Sequence, residues 1–216
     1  MNSIIKIDIV SDVMCPWCVI GYKRLEKAIK ELSLEDKITI QWQPFELNPD
    51  MPIEGENIIE HMNYKYNLNA EQVQSYQKDR KKAGEELDFI FDAYDEMKIV
   101  NTRDCHVLLE YAKKFGKQHE LQMRLFSAHF SERKIVSDRD VLKEELKSIG
   151  LDEVEAMSIL DTQARNTLQE KEENWRKKGI SAVPTMIFND SMMMNGAYPI
   201  ETYKDVLLEL VNKKEL

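Results

Sequence analysis

Apolar and charged residues alternate near the start of the chain, where Ile5, Ile7 and Ile9 interleave with Lys6 and Asp8. A period of two predicts a strand with one buried face. Ser11-Asp12-Val13-Met14 follows, and then Cys15-Pro16-Trp17-Cys18. Beyond the second cysteine the period lengthens. Tyr22, Leu25, Ala28, Ile29 and Leu32 fall on one face of a predicted helix. Ile38, Ile40 and Trp42 alternate again, predicting a second strand that runs out in Pro44-Phe45-Glu46-Leu47-Asn48-Pro49. Strand, helix and strand over this length fit a βαβ unit with parallel pairing.

From Glu54 to Gly179 the pattern is mainly helical, with long charged faces and few strand signals. Asn101 reads as an N-cap, followed by the stripe Cys105, Leu108, Leu109, Ala112 and Phe115 and a stop at Gly116. A helix is predicted over Gln118 to Phe130 with Leu121, Leu125 and Ala128 inward. Ser137 with Asp140 reads as a capping box for the next, which Gly150 closes. Further helices fit Asp152 to Gln163 and Ala164 to Lys178. The basic run Lys78-Asp79-Arg80-Lys81-Lys82 reads as a solvated helix face.

The last part returns to strands. Val183 to Phe188 and Met192-Met193-Met194 flank the turn Asn189-Asp190-Ser191, and a final helix follows with Tyr203, Val206, Leu207 and Leu210 inward. The methionine run reads as strand filling, because softness alone makes no copper site. The coarse order is βαβ, a helical block, then ββα, with no internal repeat.

Composition narrows the function. The 216 residues are 43% hydrophobic and 32% charged, which suits a folded domain rather than a disordered chain. The formal net charge of −9 repels phosphate backbones and anionic membranes, so neither nucleic acid nor membrane is an expected partner. No apolar run suits a signal peptide or approaches the ~20 residues of a membrane span. A cytoplasmic location is therefore expected. In a reducing compartment three cysteines make no disulfide framework, and a close pair is more often catalytic or metal-binding.

The spacing of that pair carries chemistry. Cys15 and Cys18 follow a strand and open a helix. Pro16 fits the first helical position, where a missing N–H costs nothing. Cys15 then sits at the helix N-terminus, whose free N–H groups and macrodipole favour a thiolate below the ordinary value of about 8.5. Cys18 lies one turn inside, within reach of a mixed disulfide on Cys15. Cys15 is thus the expected nucleophile and Cys18 the more buried resolving thiol. Zinc would need two further ligands, usually a second close pair. Cys105 and the scattered His61, His106, His119 and His129 supply none, so no metal is expected. Two inert cysteines are the blander reading, and the strand–Cys-Pro-x-Cys–helix context argues against it. Cys105, on an apolar stripe, reads as a buried inert thiol.

Ile7 to Gly21, with Asp12, the Cys-Pro-Trp-Cys run and Ile20-Gly21, resembles the DsbA-like thioredoxin-fold oxidoreductase family, and within it the FrnE-type branch. Trp42 to Pro49, Asn101-Thr102 with His106, and Gly179 to Thr185 match further stretches of that branch in order. The resemblance implies an α/β chain: a thioredoxin fold (βαβ…ββα) over residues 1–53 and 180–216, interrupted by an all-helical insertion over residues 54–179. It implies a cis peptide between Val183 and Pro184 facing the cysteines, with the Val183 backbone free to pair with a bound peptide or glutathione. Phe45 and His106 join Val183 and Pro184 as implied substrate or glutathione contacts, while Asp12, Pro16 and Trp17 tune the pair.

The implied activity is thiol–disulfide exchange with protein or small-molecule thiols and disulfides. No cofactor is implied beyond glutathione as a co-substrate, and the chain is expected as a monomer or homodimer. Periplasmic oxidases of the family carry histidine at the position of Trp17, which bears no charge, so strong oxidase character is not expected. The runner-up is a glutathione-dependent isomerase or transferase, of the 2-hydroxychromene-2-carboxylate isomerase or kappa-class type. Those enzymes place serine where this chain has Cys15. A chaperone-like binding module using Trp17, Phe45 and Pro184 is a third reading.

Overall fold

The computed structural model describes residues 5–94 and 96–212. The outermost parts of the predicted boundaries, residues 1–4 and 213–216, lie outside them. The chain opens as expected: β1 (Ile5–Ser11), α1 (Pro16–Glu31) and β2 (Ile38–Pro44). β1 and β2 run parallel, with Ile5 opposite Ile38 and Ser11 opposite Pro44. After the helical segment come β5 (Thr185–Phe188), β6 (Met192–Asn195) and α9 (Ile200–Asn212). β5 lies antiparallel on the free edge of β1, Val10 facing Thr185, and β6 pairs with β5. The sheet order is β2-β1-β5-β6, so β1 is an interior strand.

The period-two pattern explains that place. Ile5, Ile7 and Ile9 are wholly buried in one core with Leu25, Ala28 and Tyr203, from α1 and α9. Val10 points to the other face, where it meets Phe45, Ile180 and Ile187. Strands buried on both faces need apolar residues on both, and β1 has them. Gly21 sits where α1 comes closest to the late strands. A Cβ there would stand 3.3 Å from both Ala197 Cβ and Pro184 Cγ, so the absent side chain permits the approach.

Between β2 and β5 lie β3 (Glu56–Asn57), α2 (Ile58–Tyr66), α3 (Ala70–Glu85), β4 (Lys98–Ile99), α4 (Arg103–Lys113), α5 (Gln118–Phe130), α6 (Arg139–Ser148), α7 (Glu153–Ser158) and α8 (Ala164–Lys177). Their main core gathers Cys105, Leu108, Leu121, Leu125, Leu142 and Leu146. Val13 and Met14, just before the cysteines, belong to this second core. Phe126 and Phe130 of α5 reach into the first. The turn that carries the cysteine pair is therefore gripped from both sides.

Several local expectations are corrected. Asn101 is not the cap of α4; Thr102 holds that position, while Asn101 accepts from the Arg103 N–H and donates to the Met51 carbonyl. Phe115 lies beyond the end of α4, leaves its buried stripe and is exposed. Asp138 caps α6 by accepting from the Asp140 N–H, and Ser137 instead donates to the Ile53 carbonyl. The helix predicted over Asp152 to Gln163 stops at Ser158. Val206 is only half-buried. The two-residue strands β3 and β4 pair antiparallel within a segment expected to be helical. In the basic run of α3, Arg80 is 5% exposed rather than solvated. It follows Val73 and Tyr76 at helical spacing, on the face that turns inward.

Candidate active site

Cys15 is the N-cap of α1 in an extended conformation, and Pro16 opens the helix. The turn closes through its own backbone: the Cys15 N–H donates to the Asp12 carbonyl, and the Cys18 N–H to the Cys15 carbonyl, each at 3.0 Å. The first turn carries no acidic side chain to oppose the helix field. Both cysteines are free thiols. Cys15 is 4% exposed and borders a cleft, whereas Cys18 is sealed behind it. Burial first, and then the neighbouring Cys15, pushes the Cys18 thiol well above the ordinary range.

The Val183–Pro184 peptide is cis. It brings the Val183 carbonyl to 3.6 Å from Cys15 Sγ, which donates a weak bond to it. Pro184 itself turns inward against Gly21. Val183, Phe45, Pro16 and Trp17 line the same cleft as Cys15. His106 does not reach the cleft wall; it is buried behind Asp12.

Asp12 holds the turn together. Its carboxylate accepts from the N–H groups of Met14 at 3.1 Å and Leu47 at 2.7 Å, tying the end of β1 to the loop after β2. His106 Nε2 lies 3.6 Å from Asp12 Oδ1, a charge-pair distance rather than a hydrogen bond. Burial alone pushes the Asp12 carboxyl up, but His106 and the two N–H groups outweigh it and leave it below the ordinary range. Burial likewise pulls the His106 imidazole down, and Asp12, Glu172 and Glu46 together raise it above its ordinary value.

Two more buried carboxylates complete this cluster. Glu46 accepts from Arg103 Nε at 3.2 Å, yet its burial still pushes the carboxyl up. Glu172 of α8 accepts from the Glu46 N–H at 2.9 Å and is raised to about 7, chiefly by burial. Asp12 and Glu46 come from the two ends of the βαβ unit, His106 and Glu172 from the helical segment.

The cleft in front of Cys15 has a volume of about 1320 Å³, above the ~300–1,000 Å³ common for small-molecule sites. On one wall Trp17 Nε1 donates to the Tyr76 hydroxyl at 2.7 Å, and the Arg80 guanidinium lies 4.3 Å from the centre of the Tyr76 ring. On the other, the Arg176 guanidinium lies 4.2 Å from the centre of the Phe45 ring. Tyr76, Arg80 and Glu172 were not marked by the sequence. For Arg80 the signal was present in its spacing from Val73 and Tyr76. For Glu172 none was, because its burial depends on a loop 126 residues away.

Cys105 lies off this site. It is fully buried in the helical core, donates to the Val136 carbonyl at 3.2 Å, and burial pushes its thiol well up.

A sheet of this order, with a dithiol at the N-terminus of its first helix and a cis-proline turn opposite, defines a thioredoxin fold. The chain belongs to the DSBA-like thioredoxin domain family, whose model matches residues 6–208. Among curated proteins, it is 28% identical over 195 residues to the uncharacterized protein YwbO of Bacillus subtilis, covering 89% of this chain and 91% of that one. A probable DsbA oxidoreductase from Streptomyces coelicolor superposes with a TM-score of 0.90 at 24% identity, covering 96% and 90% of the two chains. A 2-hydroxychromene-2-carboxylate isomerase superposes at 0.69 with 15% identity, covering 97% and 98%. The cytosolic disulfide reductase DsbM from Pseudomonas aeruginosa, solved with glutathione, gives 0.65 at 13%, covering 96% and 98%. These structural likenesses show the fold.

Proposed function

We propose that this chain is a thiol–disulfide oxidoreductase acting through Cys15 and Cys18. The observation that carries the reading is the unequal burial of the two thiols on one helical turn, with Cys15 facing the cleft beneath the Val183 carbonyl. In the reducing direction the Cys15 thiolate attacks one sulfur of a disulfide, whose other sulfur leaves as a thiolate. Cys18 then loses its proton and attacks the Cys15 sulfur, releasing the second thiol and leaving a Cys15–Cys18 disulfide. The substrate gains two electrons and the chain loses two. Two molecules of an external thiol, with glutathione as the proposed co-substrate, restore the pair and leave joined as their own disulfide.

Reduction or isomerisation in the cytoplasm is the proposed direction. Trp17 supports it, since its indole carries no charge beside the pair. The cytosolic description of DsbM offers a parallel for the compartment. Among the described residues no helix is long and apolar enough to cross a membrane.

The isomerase reading draws on the shared fold alone. A buried second thiol one turn behind Cys15 has no work in a reaction that only activates glutathione, which favours the redox reading. Catalysed reduction of insulin by dithiothreitol tests it. Wild-type protein is expected to speed precipitation, and Cys15→Ser to abolish the effect; equal rates would remove the proposal. Glutathione-dependent isomerisation that survives Cys18→Ala would support the runner-up instead.

A further inference from the structure

Among the described residues Arg80 is a buried cation with no carboxylate partner. It is 5% exposed. Its Nε donates to the Tyr76 carbonyl at 3.3 Å and its guanidinium stacks over the Tyr76 ring. Among the described residues no carboxylate lies within ion-pair distance of it; of the other cleft arginines, Arg103 and Arg165 are each paired with one, and Arg176 instead donates to the Glu46 carbonyl. An unpaired buried charge is costly, and a stacking contact offsets only part of that cost. The guanidinium lines the cleft that Cys15 opens onto, so a group entering the cleft can meet both.

We propose that Arg80 is the anchor for a carboxylate of the substrate, and that the substrate class is a small thiol or disulfide bearing carboxylates. This rests on the redox reading of Cys15 and names what that site takes. A planar carboxylate matches the guanidinium fork in two parallel hydrogen bonds. Tyr76 fixes the fork from below, and Trp17, bonded to the Tyr76 hydroxyl, links the anchor to the cysteine turn. A second cation lines the same cleft. Lys65 donates to the Leu47 carbonyl and the Asn48 side chain, with no carboxylate partner among the described residues. Glu46, Asp50, Glu172 and Glu173 also line the cleft, so Arg80 and Lys65 make a cationic spot within a mixed lining. The depth of Arg80 favours a small molecule, because an acidic side chain on a folded protein would have to reach past the rim.

The test is single-turnover oxidation of the fully reduced chain by three small disulfides: 3,3′-dithiodipropionate, 2-hydroxyethyl disulfide and cystamine. Each rate constant is divided by that of free dithiothreitol with the same disulfide, which cancels intrinsic reactivity. The dicarboxylate is expected to exceed the neutral disulfide by about tenfold or more, equivalent to about 1.4 kcal/mol, and the dication to be slowest. Arg80→Met should collapse the dicarboxylate-to-neutral ratio, and Arg80→Lys should restore part of it. An unchanged ratio in Arg80→Met, or a wild type with no preference among the three, overturns the proposal. So does a preference that appears only with an acidic protein disulfide. The wild-type series decides even where Arg80→Met does not fold. If the chain exchanges with none of them, the redox reading fails separately. Calorimetry of Cys15→Ser with 3,3′-thiodipropionate, which cannot exchange, then reads the anchor alone: saturable binding lost in Arg80→Met keeps it, and no binding ends it.

Discussion

His106 Nε2 stands 3.6 Å from Asp12 Oδ1, and neither side chain is more than 3% exposed. Asp12 lies three residues before Cys15 and fixes the turn that presents it. The Asp12 carboxyl is held below its ordinary range, so it stabilises the fold above that range and loses this only in acid. The His106 imidazole is raised, so its contribution is complete below about pH 6.5 and fades as pH rises through its higher folded value. Asp12→Asn is expected to cost about 3 kcal/mol at pH 6, as breaking a buried pair does. Toward pH 9 the gap to wild type should narrow, because His106 loses its charge as pH rises through its raised value. Urea unfolding at the two pH values measures this, and a gap independent of pH would contradict it.

Glu172 has the opposite character. Its carboxyl holds a proton more tightly when folded, up to about pH 7, because burial disfavours the charge. The resulting stability is complete below the ordinary carboxylate range and is lost as pH rises through 7. Glu172→Gln keeps an oxygen for the Glu46 N–H and removes the titration. The variant is expected to match wild type near pH 5 and to exceed it on the order of 2 kcal/mol at pH 8. A variant less stable than wild type at both values would show that the charged form is the one the fold uses.

The three thiols should differ sharply toward 5,5′-dithiobis(2-nitrobenzoate). Cys18→Ser is expected to form a lasting mixed disulfide at Cys15, since no resolving thiol remains. Cys15→Ser should react slowly, because burial pushes both remaining thiols up. Mass spectrometry of the adducts locates them. Rapid labelling of Cys105 in the folded chain would contradict its burial.

Gly84 tests the wall that carries Tyr76 and Arg80. A Cβ there would lie 2.4 Å from the Phe89 carbonyl oxygen and 2.6 Å from Phe91 Cδ2. That carbonyl belongs to backbone that returns to Gly84 through the Phe89 N–H at 3.0 Å. Gly84→Ala is expected to destabilise by about 1–3 kcal/mol despite the better helix propensity of alanine. A thermal melt above that of wild type would show that the segment 86–92 can move away.

The ends of the chain were the readable part, for a physical reason. Ile5, Ile7 and Ile9 are buried by elements whose own patterns are regular, so local periodicity and tertiary burial agree. The cysteine turn was readable because Pro16 and the spacing of two residues fix its geometry locally. Arg80 carried a signal only in its spacing from Val73 and Tyr76, and the basic run around it outweighed that, because a charged residue on an amphipathic face is ordinarily solvated. The pairs β3–β4 and Glu46–Glu172 escaped because each joins segments that carry no complementary pattern of their own. His106 was readable as a neighbour of the site, and its place behind Asp12 was not.

The strand order has a consequence during synthesis. β1 and Cys15 leave the ribosome before β5, and the Val183 carbonyl that faces Cys15 Sγ follows 168 residues later. Until β5 is made, one edge of β1 has no partner, and a nascent chain carries an apolar strand open to wrong pairing. The reactive turn is thus translated early and enclosed late. A growing chain holds Cys15 without its facing carbonyl until those 168 residues have been added.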